Sequence, residues 1–252
     1  MTLLEDTWVE RDGILRSPKL WSLGLVAGFT TRARGSMGGG VFPQGEQERN
    51  RRALADQLGF DRVVRVKQVH GDVVVHADEV GDPWPEADAM WTSTHGLLLG
   101  VAAADCVPIL IADPTGPLGP MGAAHAGWEG TSKRIAAALV SELVRNGADP
   151  TRLVAAIGPS IGPCCYVIDD ARAHVIRGRL GTDSGDVLFA GPDGRPIFDL
   201  WSANVQQLEQ AGVRTIERCD VYTQSGGADI WSYRGDKGRN GTGLGIIGRP
   251  RP

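Results

Sequence analysis

Two apolar runs, LLLGVAAA (97–104) and VPILIAD (107–113), are separated only by Asp105 and Cys106. Each is too short for a buried helix, and each ends at polar residues, which is the pattern of a buried strand. Buried strands need covering layers, so this pair commits the chain to a layered architecture. Gly96 to Ala112 is the most apolar segment of the sequence, yet Asp105 and Pro108 interrupt it. Ionisable groups in lipid are expensive, so the segment reads as core strands and not as a membrane span.

The flanking sequence supplies the other layers. EQERNRRALADQL (46–58) reads as an amphipathic helix stopped by Gly59, with Arg49, Arg51 and Arg52 on its solvated face. VVRVKQVHGDVVVHA (63–77) reads as two strands around the break His70-Gly71-Asp72, and a loop with Pro83 and Pro85 leads into ADAMWT (87–92). A further short strand ends at His125. TSKRIAAALVSELVRNG then predicts a helix with Thr131 as N-cap, apolar residues at 135, 136, 139, 140, 143 and 144, and Gly147 as its stop. LVAAIG (153–158) is another strand, and GPCCYVI (162–168) precedes a helix capped by Asp169. DLWSANVQQLEQAG (199–212) is a helix from Asp199 to Gly212, and the Gly-rich tail from Ser225 predicts no element. Strands mixed with helices, with no repeat and no linker, predict one layered α/β (α+β) domain over residues 1–252.

Charge narrows the function. The net charge of −4, without a Lys/Arg cluster beyond that short run, argues against a nucleic-acid partner. The N-terminus MTLLEDTWVERDG carries acids where a signal peptide needs a basic start and an apolar stretch. Cys106, Cys164, Cys165 and Cys219 form no disulfide-dense pattern, so the expectation is a reduced, cytoplasmic protein with no membrane contact.

His125 lies in GAAHAGWEG (122–130), where small neighbours leave room for something to approach the imidazole. His70 and Cys106 share its placement at the end or break of a strand-like run. The three are 36 and 19 residues apart, unlike the local pairs of a zinc finger, and suit loops converging from different strands. Two imidazoles and a thiolate would make a three-ligand zinc site with a vacant fourth position, where zinc lowers a bound water's pKa to roughly 7. The alternatives are packed, hydrogen-bonded core residues, or a metal-free cysteine hydrolase with Cys106 as nucleophile and His125 or His70 as base. The turn through Gly127 and Gly130 into a helix is also a layout that holds anions, although Glu129 opposes it.

KQVHGDVV (67–74), ADAMWT (87–92), AADCVPILIAD (103–113), HAGWEGT (125–131) and IGPSIGPCCY (157–166) closely resemble the YfiH-type family. It is also called the laccase-domain or polyphenol-oxidase family, and its members are regarded as purine nucleoside phosphorylases. The resemblance runs from FTTR (29–32) to SYRGDKG (232–238). It implies a CNF/YfiH-like fold with mixed sheets flanked by helices, in a monomer or homodimer. It places Zn2+ on His70, Cys106 and His125, with a nucleoside and inorganic phosphate as substrates. The implied activities are phosphorolysis of adenosine, inosine, guanosine and methylthioadenosine, and hydrolytic deamination of adenosine; bacterial relatives are also linked to peptidoglycan precursor editing. Asp88 and Asp105 are then candidate acid/base or ligand-orienting groups, and Arg32, Gln68, Cys164 and Tyr166 candidate substrate contacts. Cys165 is expected in the core, and Cys219 as structural. A laccase copper cluster needs many more histidines than the five present, none in an H-x-H pair, so the older copper label fails on supply.

The sequence also departs from the family pattern. Glu129 stands where Arg is usual, Val167 where Glu is usual, and Leu244 where the C-terminal TGR motif has Arg. The segment after FTTR is shorter. Two readings follow: a weaker phosphorylase, or the joint loss of a dispensable ion pair.

Overall fold

The computed structural model describes residues 7–116, 118–225 and 229–251; the N-terminal reading over residues 1–6 and the tail at 226–228 lie outside them. In chain order the strands are β1 (Val9–Arg11), β2 (Ile14–Arg16), β3 (Val26–Thr30), β4 (Arg62–Val64), β5 (Val74–His76), β6 (Ala89–Thr92) and β7 (Leu97–Ala103). They continue as β8 (Val107–Ala112), β9 (Met121–Ala126), β10 (Val154–Ile157), β11 (Leu188–Ala190), β12 (Pro196–Phe198), β13 (Thr215–Arg218) and β14 (Gly243–Gly248). The α-helices are α1 (Pro18–Ser22), α2 (Gln44–Leu58), α3 (Trp128–Ser132), α4 (Ile135–Arg145), α5 (Asp170–Leu180) and α6 (Leu200–Gln210).

Two mixed six-stranded sheets face each other. The first runs β1-β2-β3-β14-β7-β4 and the second β13-β10-β8-β9-β6-β5. Most pairs are antiparallel; β4–β7, β5–β6 and β10–β13 are parallel. The two-residue side-chain period assigns each strand's faces. On β8, Leu110 and Ala112 join Phe29, Leu99, Val101 and Ile247 in the core between the sheets. Val107, Ile109 and Ile111 point the other way, into a core shared with α4, α5 and α6. On the far side of the first sheet, Leu98, Leu244 and Ile246 pack on Leu54 and Ala55 of α2. The order of layers is therefore helix, sheet, sheet, helices. No helix among the described residues is long and apolar enough to cross a membrane.

Local chemistry sets the helix ends. Gly59, at φ 77°, closes α2 in the left-handed region. Asp169 accepts from the Arg172 amide and Asp199 from the Ser202 amide, capping α5 and α6 as predicted. The expected N-cap at Thr131 is not one. The chain turns first through the short α3, Arg134 adopts φ 66°, and α4 begins at Ile135. Thr131 is buried, its hydroxyl accepting from Asn204 Nδ2 and its carbonyl from Gln207 Nε2, which ties α3 to α6. Ile135, Ala136, Leu139, Val140 and Leu143 of α4 are buried as the periodicity predicts, whereas Val144 is exposed. Truncating a side chain as deeply buried as Leu139 to Ala costs about 2–5 kcal/mol.

Candidate active site and metal centre

β8 and β9 pair so that Pro108 faces His125. Met121 and Ala123 of β9 belong to the core between the sheets, and Ala124 and Ala126 to the helix side. His125 continues the first series, so its ring projects on the inter-sheet side at the strand's end. Cys106 lies where the chain crosses from β7 in one sheet to β8 in the other, just after Asp105 at φ 89°. His70 lies in the segment between β4 and β5, at φ 59°. Non-glycine residues at such φ values store local strain and cluster at functional sites.

Asp88, fully buried just before β6, organises two of these three residues. Its carboxylate accepts from the amides of Val69 and His70 at 3.0 Å and of Gly71 at 2.6 Å. It also accepts from His125 Nδ1 at 2.8 Å. An ionised carboxylate only accepts, so Nδ1 carries the proton and Nε2 is the ring atom left for the cleft. Burial opposes ionisation of Asp88, but the His125 ring and the Gly71 amide outweigh it and hold its pKa below the usual range.

His70, Cys106 and His125 each offer one ligand atom, all within 4.8 Å of one another, and Cys106 Sγ is 3.9 Å from His70 Nε2. The imidazoles meet edge to face, with centroids 4.8 Å apart. Tetrahedral zinc sets such donors about 3.5 Å apart, so shifts on the order of 1 Å would close the set around an ion. Gly127 shows why glycine follows the His-Ala pair. A Cβ there would lie 2.9 Å from both Cys106 Sγ and His70 Cδ2. Burial pushes the Cys106 thiol up, but His125 and then His70 pull it down to about 6. Burial likewise lowers His125, but the Cys106 thiolate and Asp88 raise it to about 9. The donors thus favour a thiolate beside an imidazolium, a pair whose charge a cation can replace.

The three donors open onto a cavity of about 760 Å³, within the usual size of a small-molecule site. Gln68, Asp105 and Tyr166 line it. Asp105 is committed to the protein: it accepts from Thr223 Oγ1 at 2.5 Å, Ser232 Oγ at 2.7 Å and the Arg234 amide at 2.6 Å. It therefore fixes the turn that presents Cys106. Gln68 Nε2 donates to the Ala102 carbonyl and its Oε1 accepts from the Ala102 amide, so it extends the edge of β7. Burial pushes the Tyr166 phenol up, keeping it protonated.

Two sequence candidates are placed differently. Arg32 pairs with Asp236 at 2.7 Å, donates to the Ile230 carbonyl and lies over Trp231, outside the described cavity lining. Cys164 is exposed beside Cys165 and Ser225 and is likewise outside that lining. Its backbone lies in a turn closed by the Cys165 amide donating to the Gly162 carbonyl at 3.0 Å. Cys165 is half-buried against the helix-side core and Cys219 is buried. The anion layout at residues 127–131 reduces to the five-residue α3, with Glu129 paired to Lys133 at 2.8 Å.

Sequence reasoning missed Arg65, Trp84 and Tyr233, all in the lining, and set Arg51 on a solvated face. Arg51 is half-buried in the cavity wall, while Arg49 and Arg52 are exposed. A signal was present in each arginine. Arg51 shares a helical face with Gln47, Leu54 and Leu58, and Arg65 interrupts the apolar run Val63-Val64-Arg65-Val66.

The family described as multi-copper polyphenol oxidoreductase laccase matches residues 43–250. The chain belongs to this family. It is 40% identical to the purine nucleoside phosphorylase of Deinococcus radiodurans, over 94% of this chain and 93% of that protein. It is 35% identical to the purine nucleoside phosphorylase YlmD of Geobacillus stearothermophilus, over 90% of each. A protein named adenosine deaminase, from an unknown prokaryotic organism, is 35% identical over 65% of this chain and 66% of its own length. Among solved structures, Geobacillus YlmD superposes with a TM-score of 0.84 at 34% identity, covering 96% of this chain and 98% of that one. Bacillus licheniformis YfiH gives 0.84 at 28% identity, covering 97% and 99%.

The departures from this laccase-domain family now have surroundings. Glu129 pairs with Lys133 and lies 3.9 Å from Arg179. Leu244 is buried among Met37, Leu54 and Ile246. Val167 bridges to Ile197, the middle residue of β12.

Proposed function

We propose that the protein is a zinc-dependent purine nucleoside phosphorylase with an accompanying adenosine deaminase activity, its two sheets serving one catalytic domain. The observation that carries this reading is the meeting of His70, Cys106 and His125 in one cavity, in a chain nearly full-length similar to proteins named purine nucleoside phosphorylase. The donor set fits zinc: two imidazoles, one thiolate and a carboxylate behind one ring. Bound there, zinc would supply Lewis-acid polarisation of a substrate or water oxygen.

The remaining work falls to the chain itself. Phosphorolysis breaks the bond from C1′ to the purine nitrogen and forms one from C1′ to a phosphate oxygen, with positive charge developing on the sugar. Asp88 keeps His125 in one tautomer and pins the His70 loop. Asp105 positions the Cys106 turn and Gln68 the adjoining edge of β7. Tyr166 offers a protonated phenol to the departing base. The small residues around the site bring substrate close to the backbone.

Purified protein is incubated with a nucleoside panel, with and without phosphate, and its zinc is counted. One zinc per chain and phosphate-dependent ribose-1-phosphate are expected; inosine from adenosine without phosphate reports deamination. Metal-loaded protein that turns over no nucleoside overturns the reading. The depressed Cys106 thiol beside His125 also favours a second reading, a metal-free cysteine hydrolase acting on a peptidoglycan precursor. Protein that is active without metal and inactivated by alkylation of Cys106 would select it.

A further inference from the structure

We propose that Arg51 and Arg65 form an anion subsite in the cavity wall that holds a phosphate group during nucleoside turnover; the inference rests on the phosphorylase reading. The two guanidiniums converge, both donating to the Met37 carbonyl, at 2.6 and 3.1 Å. Arg65 is only 8% exposed, and its buried Nε has no partner among the described residues. Neither arginine forms an ion pair among those residues. Glu48, the acid nearest Arg51 in sequence, reaches Arg52 at 3.8 Å, and Lys67 takes Glu86 at 2.8 Å. Two like charges sharing one neutral carbonyl, one of them desolvated, is a costly arrangement that an oxyanion would offset.

The surroundings are shaped for such a group. The Trp84 ring lies 5.7 Å from the Arg51 guanidinium carbon and 5.3 Å from that of Arg65, giving the pair a common wall. A Cβ at Gly38 would lie 2.5 Å from Arg65 Nη1, so glycine is needed for the guanidinium to fit. Gly39 and Gly40, both at positive φ, continue the cavity lining. The cavity's other arginines differ. Arg172 and Arg234 are exposed, and Arg172 lies 3.6 Å from Asp169. Planar guanidiniums match phosphate through paired N–H donors. The phosphate can be free inorganic phosphate or the 5′-phosphate of a nucleotide.

Calorimetry with inorganic phosphate on the metal-loaded protein, without nucleoside, tests the subsite. Arg65→Met and Arg51→Met should each weaken binding at least tenfold, Arg65→Lys less, and Arg49→Met should leave it unchanged. Should Arg65→Met not fold, Arg51→Met decides. A raised KM for phosphate with an unmoved nucleoside KM assigns the free ion. Tighter binding of a nucleoside 5′-monophosphate than of the nucleoside, lost in Arg65→Met, assigns the nucleotide. Wild-type protein that binds neither source, or folded variants that bind both as wild type does, overturn the proposal. Phosphate binding that depends on both arginines in a protein without phosphorolytic activity would sink the activity reading and leave the subsite. A working phosphorylase indifferent to both substitutions would do the reverse.

Discussion

Asp88 Oδ1 accepts both from His125 Nδ1, at 2.8 Å, and from the His70 amide, at 3.0 Å, so one buried oxygen sets the geometry of two proposed metal ligands. Replacing Asp88 by Asn keeps the volume but removes the charge that fixes the imidazole tautomer. Losing such a partner typically costs ~10–100-fold in metal affinity. Chelator competition on Asp88→Asn should show a zinc affinity lower by that factor. An unchanged affinity would mean that the carboxylate serves only the backbone of residues 69–71.

The cysteines should separate by reactivity. Burial pushes the Cys219 thiol up to about 12, so it stays protonated and unreactive in the native state. Cys164 is exposed and Cys106 opens onto the cavity. Alkylation followed by peptide mass mapping should label Cys164 and Cys106 in metal-free protein and spare Cys219. Zinc should then protect Cys106 and leave Cys164 labelled. Equal labelling of Cys106 with and without zinc would count against the proposed ligand set.

The candidate site was legible to the extent that its side chains lie at strand ends. The convergence of His70, Cys106 and His125 was legible because each sits at the end or in a break of an apolar run, and the capping aspartates were legible because their signal is local. β3 and β14 were missed for a physical reason. Both are rich in small residues and glycine, and β14 is defined by pairing with β3 and β7 across more than 100 residues of sequence. That pairing is not encoded in local alternation. Thr131 misled because its hydroxyl has a better partner in Asn204, from a helix distant in sequence. Arg32 is held by Asp236, a partner that its motif position does not reveal.

Glu129, the most visible departure from the family pattern, belongs to a half-exposed ion cluster with Lys133 and Arg179. Such pairs contribute ~0–1 kcal/mol. Glu129→Gln should therefore shift stability by no more than about 1 kcal/mol, and kcat/KM by less than a factor of two. Glu129→Arg should be worse on both counts, since it sets a third cation beside two others. Denaturant melts and steady-state kinetics check both variants. A large gain in phosphorolysis by Glu129→Arg would show instead that the departure weakened the enzyme.

Asp78 gives the stability a pH dependence. Burial opposes its ionisation, but hydroxyls of Thr92 and Thr94 and the His76 ring outweigh it and hold the pKa below the usual carboxylate range. A carboxyl depressed on folding stabilises fully above its unfolded pKa, and that contribution fades as pH falls through the folded value. Wild-type stability should accordingly decline below about pH 4, and Asp78→Asn should flatten the decline while losing about 1 kcal/mol at neutral pH. Urea melts between pH 3 and pH 7 (a range set by ordinary carboxyl titration, about 4) measure both effects. Parallel curves for the two proteins would remove Asp78 from the account.

Gly127 offers the cleanest steric probe of the proposed centre. Its φ of −74° is open to any residue, so Ala there adds no backbone strain. The only new atom is a methyl group placed 2.9 Å from Cys106 Sγ and from His70 Cδ2. Either side chain must move, and a metal site needs its donors held to a few tenths of an ångström. Gly127→Ala should thus fold with near-native circular dichroism, carry well under one zinc per chain and lose most nucleoside turnover, while inorganic phosphate still binds at the arginine pair. A variant that holds zinc as tightly as the wild type would mean that the added methyl group does not hinder Cys106 and His70 from closing on an ion.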